Sequence, residues 1–351
     1  ILTIPNKYPS DILKNKRLSI GFDPKLHTDF MLERFFKNTN CRLVAIKENL
    51  VNKIWVRKNI SANKKFYKLK NMDTGQSSTR KMKKLSHILI KNKAHFQFIS
   101  APENVAWLLN IRGADSKFSP IPNSYLIINH KNKAYFFCDL KKINKKLKKK
   151  IGKNITIINI KDIKNFILKI KNKNFQLDNL SCSIFFKNII NKNNKVIEKQ
   201  DPIYLLKSTK NKVEIKNTIQ THIYDGVALT KFLIWINNNF KNKKITEISA
   251  QRKLLELRKK NITFSSLSFP TISGAGPNGA IIHYKANNES NRTLQNGDLY
   301  LVDSGGQYKF GTTDVTRTIS LQNSDKRIKN IFTRVLKGHI AVADYKLKEN
   351  T

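Results

Sequence analysis

Apolar residues recur along this chain in two rhythms, and the change from one to the other marks its elements. Short apolar runs bounded by polar turns predict strands at 18–22, 42–46, 125–138 and 155–160. Between them, 28–37 and 79–91 keep helical spacing, and the second is amphipathic. From 212 to 240, Ile215, Ile219, Ile223 and Val227 fall at fourfold spacing, with a further stripe at Leu233 and Ile236. That stretch predicts one long helix. Thr246 predicts the N-cap of a second helix ending near Lys260. Leu299-Tyr300-Leu301-Val302-Asp303 alternates as a strand, and 315–319 reads as its return. A last periodic stretch, 325–343, carries Ile328, Phe332, Val335 and Leu336 on one side of a helix.

These elements group into three blocks. Residues 1–74 read as the remnant of an α/β domain, followed by a polar hinge, NMDTGQSST, at 71–79. Residues 75–202 repeat the α/β logic, and Pro202 marks the next boundary. Residues 203–351 combine long helices with the hairpin strands, so the fold class is α/β with α+β character. The longest apolar runs are short; FLIWI at 232–236 is far below the roughly 18 residues that mark a membrane span.

Composition changes this picture little. Cys41, Cys138 and Cys182 stand far apart and form no CxxC pair. That argues against zinc fingers and a disulfide framework, and for a reducing compartment, the cytoplasm. The formal net charge of +43 would by itself point to nucleic acid. The positive charge is overwhelmingly Lys, however, spread end to end among Asn and Ile, and the densest run, 141–150, has no interleaved aromatics. Specific readers of nucleic acid favour Arg and stacking aromatics. The charge therefore predicts salt-sensitive adhesion to RNA, and no specific nucleic-acid partner.

Asp303 and Asp314 are the chemistry-bearing pair. A turn centred between Tyr308 and Lys309 sets them directly across a hairpin, with Cβ atoms roughly 4.5–5.5 Å apart. Gly305, Gly306 and Gly311 read as turn or bulge positions. Two opposed carboxylates without a cation would repel, and one would tend to stay protonated. The pairing asks for a metal. The competing reading is local, because Asp beside Gly and Ser is common in turns, where its side chain caps nearby amides.

The flanking words decide between them. FPTISGAGPNGAIIHY (269–284), NRTL (291–294), LVDSGGQYKFGTTDVTRTIS (301–320) and VLKGHIAVA (335–343) closely resemble the Xaa-Pro aminopeptidases, in particular the long three-domain cytosolic form. Upstream, GFDP (21–24), VAIKENLVNKIW (44–55), ENVAWLLNIRGAD (103–115) and NKVEIKNTIQTHIYDGVAL (211–229) match segments of the same form, in order. The resemblance implies creatinase-like N-terminal α/β domains followed by a pita-bread catalytic domain. It also implies removal of the N-terminal residue from peptides with proline in second position. The family's centre holds two divalent metal ions, usually Mn2+, on two Asp, one His and two Glu. Asp303 and Asp314 fit the first two metal ligands, and His283 fits the histidine on the substrate and oxyanion side.

The remaining His and the two Glu ligands have no match in this chain, and Glu256 and Glu289 do not fit the proton-shuttling glutamate in context. The resemblance thus implies a chain truncated at both ends and a catalytic domain present only in its first half. By itself such a chain is expected neither to hold two metals nor to cleave Xaa-Pro bonds. Arg112, in LLNIRGAD, is expected to be structural. A homodimer through the catalytic domains is implied, with no membrane partner. The alternative function is a non-catalytic pita-bread module that binds peptides or nucleic acid. Binding-only relatives usually lose the hairpin aspartates and the FPTI…IIHY words, both of which are kept here.

Overall fold

The computed structural model describes residues 9–55, 64–322 and 325–347. The chain divides into two units, 1–215 and 216–351.

The first unit is built on a six-stranded mixed sheet. Its strands lie in the order Lys195–Glu198, Asn174–Leu177, Phe96–Ile99, Ser124–Asn129, Ala134–Cys138 and Ile155–Asn159. The runs SYLIIN and AYFFC are apolar without alternation because both faces of this sheet are covered. Leu126, Ile128, Phe136 and Cys138 pack with Met82, Leu85 and Leu89 of the helix Ser78–Lys91 and with Val105 and Leu108 of Pro102–Leu109. Ile127 and Phe137 point the other way, against Ile163 and Ile167 of Ile163–Leu168 and Phe186, Ile189 and Ile190 of Ile184–Asn191. Ahead of the sheet, Ser19–Phe22 and Arg42–Ala45 pair in parallel across the helix Asp29–Phe36, which Thr28 caps.

The expected hinge at 71–79 is instead an ordered joint. Asn71–Thr74 forms one helical turn, Gly75 takes φ +67°, and Ser77 caps the next helix. A Cβ on Gly75 would lie 2.3 Å from Asn211 Oδ1, and Asn211 Nδ2 donates to Thr74 O at 2.9 Å. A polar composition serves here to satisfy buried partners, not to loosen the chain.

In the second unit, helices pack on a three-stranded sheet of Ile272–Ala275, Leu299–Ser304 and Val315–Ser320. Phe232 and Ile236 of the helix Lys212–Asn239 join Ala250 and Leu254 of Glu247–Lys259 and Tyr300 and Val302 of the central strand in one core. Thr246 caps the second of these helices in a capping box with Ser249. A smaller sheet of Phe264–Leu267, Gly306–Tyr308 and Gly311–Thr312 continues the hairpin. The long helix does not bury the stripe its sequence displays. Ile219, Ile223 and Val227 are exposed, and the core face is Thr221, Asp225, Ala228, Leu229, Phe232 and Ile236. Among the described residues, no helix is long and apolar enough to cross a membrane.

Candidate metal centre

The hairpin's register corrects the expected pairing of the two aspartates. Asp303 pairs with Thr316 and Ser304 with Val315, and Tyr308 pairs with Gly311. The turn therefore falls on Lys309 and Phe310, one position later than the sequence spacing suggested. Asp314 lies two residues before Asp303's partner Thr316, just outside the strand Val315–Ser320. Strand alternation carried on from Thr316 would set Asp314 as a diagonal neighbour of Asp303, roughly 7–8 Å away at Cα, rather than directly opposite.

The hairpin switches sheets at Gly305. A Cβ there would lie 1.9 Å from the Thr313 carbonyl oxygen and 2.2 Å from Ser268 Oγ, so only glycine fits between them. Ser268 Oγ donates to Thr313 O at 2.8 Å, and Thr313 N donates to Gly306 O at 2.9 Å. The expected turn role of this glycine is thus a close approach of two strands. It lets Asp314 leave the ladder just before Val315 and stand exposed.

Asp303 sits in the central strand between Ile272 and Thr316. Its Oδ1 is buried and has no hydrogen-bond partner among the described residues. An orphaned carboxylate oxygen is costly unless something positive meets it. This observation, with an exposed carboxylate two residues out of register, fits a divalent cation. The donor set is partial, because no three His, Cys, Asp or Glu side chains among the described residues converge as a metal site needs.

His283 is not brought into a three-donor group with them. It lies in the loop after Ala275, exposed, with φ +55°, in a turn closed by Tyr284 N donating to Ile281 O at 3.1 Å. Tyr284 is buried beside it, and its hydroxyl donates to Glu247 Oε2 at 2.8 Å. Burial, with the Glu247 carboxylate alongside, pushes the Tyr284 phenol up, which keeps it a donor. Arg112, read as structural, bonds main-chain oxygens, with Nη1 donating to Ile111 O at 3.0 Å.

A second network, behind the hairpin, was missed from the sequence. Asp225 and Arg258 are both buried and pair in a two-bond fork, Nε to Oδ1 at 2.7 Å and Nη2 to Oδ2 at 3.0 Å. Tyr308 OH donates to Asp225 Oδ1 at 2.7 Å, and Arg258 Nη2 also donates to Ser304 Oγ at 3.1 Å. One fork thus grips the residue after Asp303 and the residue before the turn. Its one sequence signal is an Asp at a core position of the long helix, four residues past Thr221 and three before Ala228.

The family model for the creatinase/prolidase N-terminal domain matches residues 57–214, and that for metallopeptidase family M24 matches 217–351. The class is therefore a creatinase-like α/β unit joined to a pita-bread metallopeptidase unit. Xaa-Pro aminopeptidase 1 of Dictyostelium discoideum is 34% identical over 348 residues, covering 94% of this chain and 54% of its own. Xaa-Pro aminopeptidase ApepP of Drosophila melanogaster is 32% identical over 331 residues, covering 92% and 54%. A crystal structure of X-prolyl aminopeptidase from Caenorhabditis elegans, described as a cytosolic enzyme with a di-nuclear active site, matches with TM-score 0.89. It is 30% identical, and the match covers 99% of this chain and 59% of that one. The chain carries the family M24 metallopeptidase domain behind a creatinase/prolidase N-terminal domain, and it is similar to Xaa-Pro aminopeptidases over nearly all of its length. It spans about half the length of the curated relatives it matches.

Proposed function

We propose that this chain serves an aminopeptidase that releases the N-terminal residue from peptides with proline in second position. Asp303 and Asp314 are ligands of a two-metal centre, with Mn2+ as the ion, and His283 faces the substrate on the oxyanion side. The observation that carries the reading is the buried, unpartnered Oδ1 of Asp303, two residues out of register with Asp314. The identities to the two Xaa-Pro aminopeptidases support it.

When bound, the ions would supply hydroxide near neutral pH and polarise the carbonyl that precedes proline. The chain's own residues hold and orient. Asp303 offers a half-buried carboxylate fixed in a central strand, and Asp314 an exposed one freed from the ladder at the sheet switch. His283 offers an exposed ring that can donate to a developing oxyanion. Among the described residues no three His, Cys, Asp or Glu side chains converge to hold a metal ion.

The same reading includes three creatinase/pita-bread blocks at 1–74, 75–202 and 203–351, a homodimer, and the cytoplasm. The cysteines are free, and burial pushes the thiols of Cys138 and Cys182 up to about 12, which suits inert structural residues in a reducing compartment. The function is tested by a chimera in which this chain replaces the matching part of the Dictyostelium relative. Manganese-dependent release of the first residue from an Xaa-Pro-Pro peptide, abolished by Asp303→Ala, is expected. A chimera that folds and binds metal yet ignores the proline would overturn the proposal.

A further inference from the structure

We propose that Glu247 is the positioning residue for His283, holding the whole loop between Ala275 and Arg292 on one buried carboxylate. The inference rests on the reading that His283 faces substrate. Glu247 is fully buried, the first residue of the helix Glu247–Lys259. Its Oε1 accepts from Ala275 N at 2.7 Å and from Asn278 Nδ2 at 3.1 Å. Its Oε2 accepts from Tyr284 OH at 2.8 Å and from Arg292 N at 3.1 Å. Those four donors stand at the start of the loop, within it, immediately after His283 and at the loop's end.

A buried carboxylate must be met by good donors, and here the four donors are all neutral. The helix N-terminus adds a favourable field for a negative charge at this position. The arrangement is more than a helix cap, because none of the four donors belongs to the helix itself. It also answers a local problem. His283 holds φ +55°, a left-handed conformation a non-glycine residue keeps only when its surroundings over-determine it. The side chains of Ile281 and Ile282 on one side are exposed, so the buried neighbour is Tyr284. Through the Tyr284 hydroxyl, which also accepts from Asn278 Nδ2 at 2.9 Å, the backbone at His283 is held from its C-terminal side.

The test follows the His283 ring by NMR in the full 351-residue chain, its signal assigned with His283→Ala. The wild-type ring should give a distinct, dispersed signal. Tyr284→Phe and Glu247→Gln should shift it to the position of an unstructured histidine. Thr246→Ala weakens the same helix by removing its cap and touches none of the four donors, so it should leave the signal unmoved. A His283 signal unchanged in Tyr284→Phe, or moved equally by Thr246→Ala, overturns the inference. Should Glu247→Gln not fold, Tyr284→Phe decides alone. Adding an Xaa-Pro-Pro peptide tests the underlying reading separately. A peptide that binds without moving the His283 signal contradicts the substrate-facing role, whatever the variants do.

Discussion

Arg258 brings a guanidinium into a fully buried site where Asp225 takes two of its N–H groups, Ser304 takes one more, and Nη1 has no partner among the described residues. Breaking such a pair leaves an uncompensated buried charge and costs about 3–5 kcal/mol. Arg258→Met should therefore lower the urea midpoint sharply, and the double variant Asp225→Leu/Arg258→Met should recover much of the loss. Lys81 is buried without a carboxylate bonded to it, donating to Trp107 O at 3.0 Å and Asn110 Oδ1 at 2.8 Å over the Trp107 ring. Burial lowers its pKa from 10.5 to about 8. The unfolded chain then binds the proton more tightly than the folded one, so stability should rise as pH climbs from about 8 to 10.5 and stay level below. Urea titrations across that range check this, and Lys81→Met should remove the slope. Neither residue was legible as special. Lys81 sits in a lysine-rich stretch that reads as a solvated face, although its position beside Ser78, Met82 and Leu85 puts it on the buried side.

Elements were easier to read than their pairings. The capped helix after Thr246 and the two hairpin strands lie where alternation and cap chemistry put them, because those signals are local. The long helix was found, but of its buried face only the stripe at Leu233 and Ile236 was read. Two of its core positions are Thr221 and Asp225, so the true stripe reads as polar while an exposed one reads as apolar. The hairpin turn was displaced by one position, which moves the register by two and, by strand alternation, keeps Asp314 in phase with Asp303; a single-residue slip in register would have put it out of phase. What sequence spacing could not show is the sheet switch at Gly305, set by the approach of Thr313 O and Ser268. Gly305→Ala should force the strands apart and cost more than the ~1–3 kcal/mol of ordinary overpacking, since the atom it meets is backbone. Faster amide exchange at Thr313, now bonded to Gly306 O at 2.9 Å, would register the opening. Unchanged protection there would refute this account of the glycine.

Across the whole molecule, two surface properties oppose each other. The net charge of +43 keeps copies apart, while the helix Lys326–Ala343 exposes Phe332 at 59% and Val335 at 67%. Salt screens the first and leaves the second. Light scattering should therefore increase as salt is raised, and Phe332→Lys should delay the rise; association that is strongest at low salt would contradict this balance. The family likeness was legible because whole words of sequence carry it; the supporting carboxylates Glu247 and Asp225 were not, because their partners lie tens of residues away. The central claim is that Asp303 and Asp314 form a metal-binding face, and Mn2+ titrated into the isotopically labelled chain tests it most directly. The account predicts weak binding that broadens the amide signals of Gly305, Asp314 and Val315 first and disappears in Asp303→Asn. Broadening centred elsewhere, or unaffected by that substitution, would contradict it.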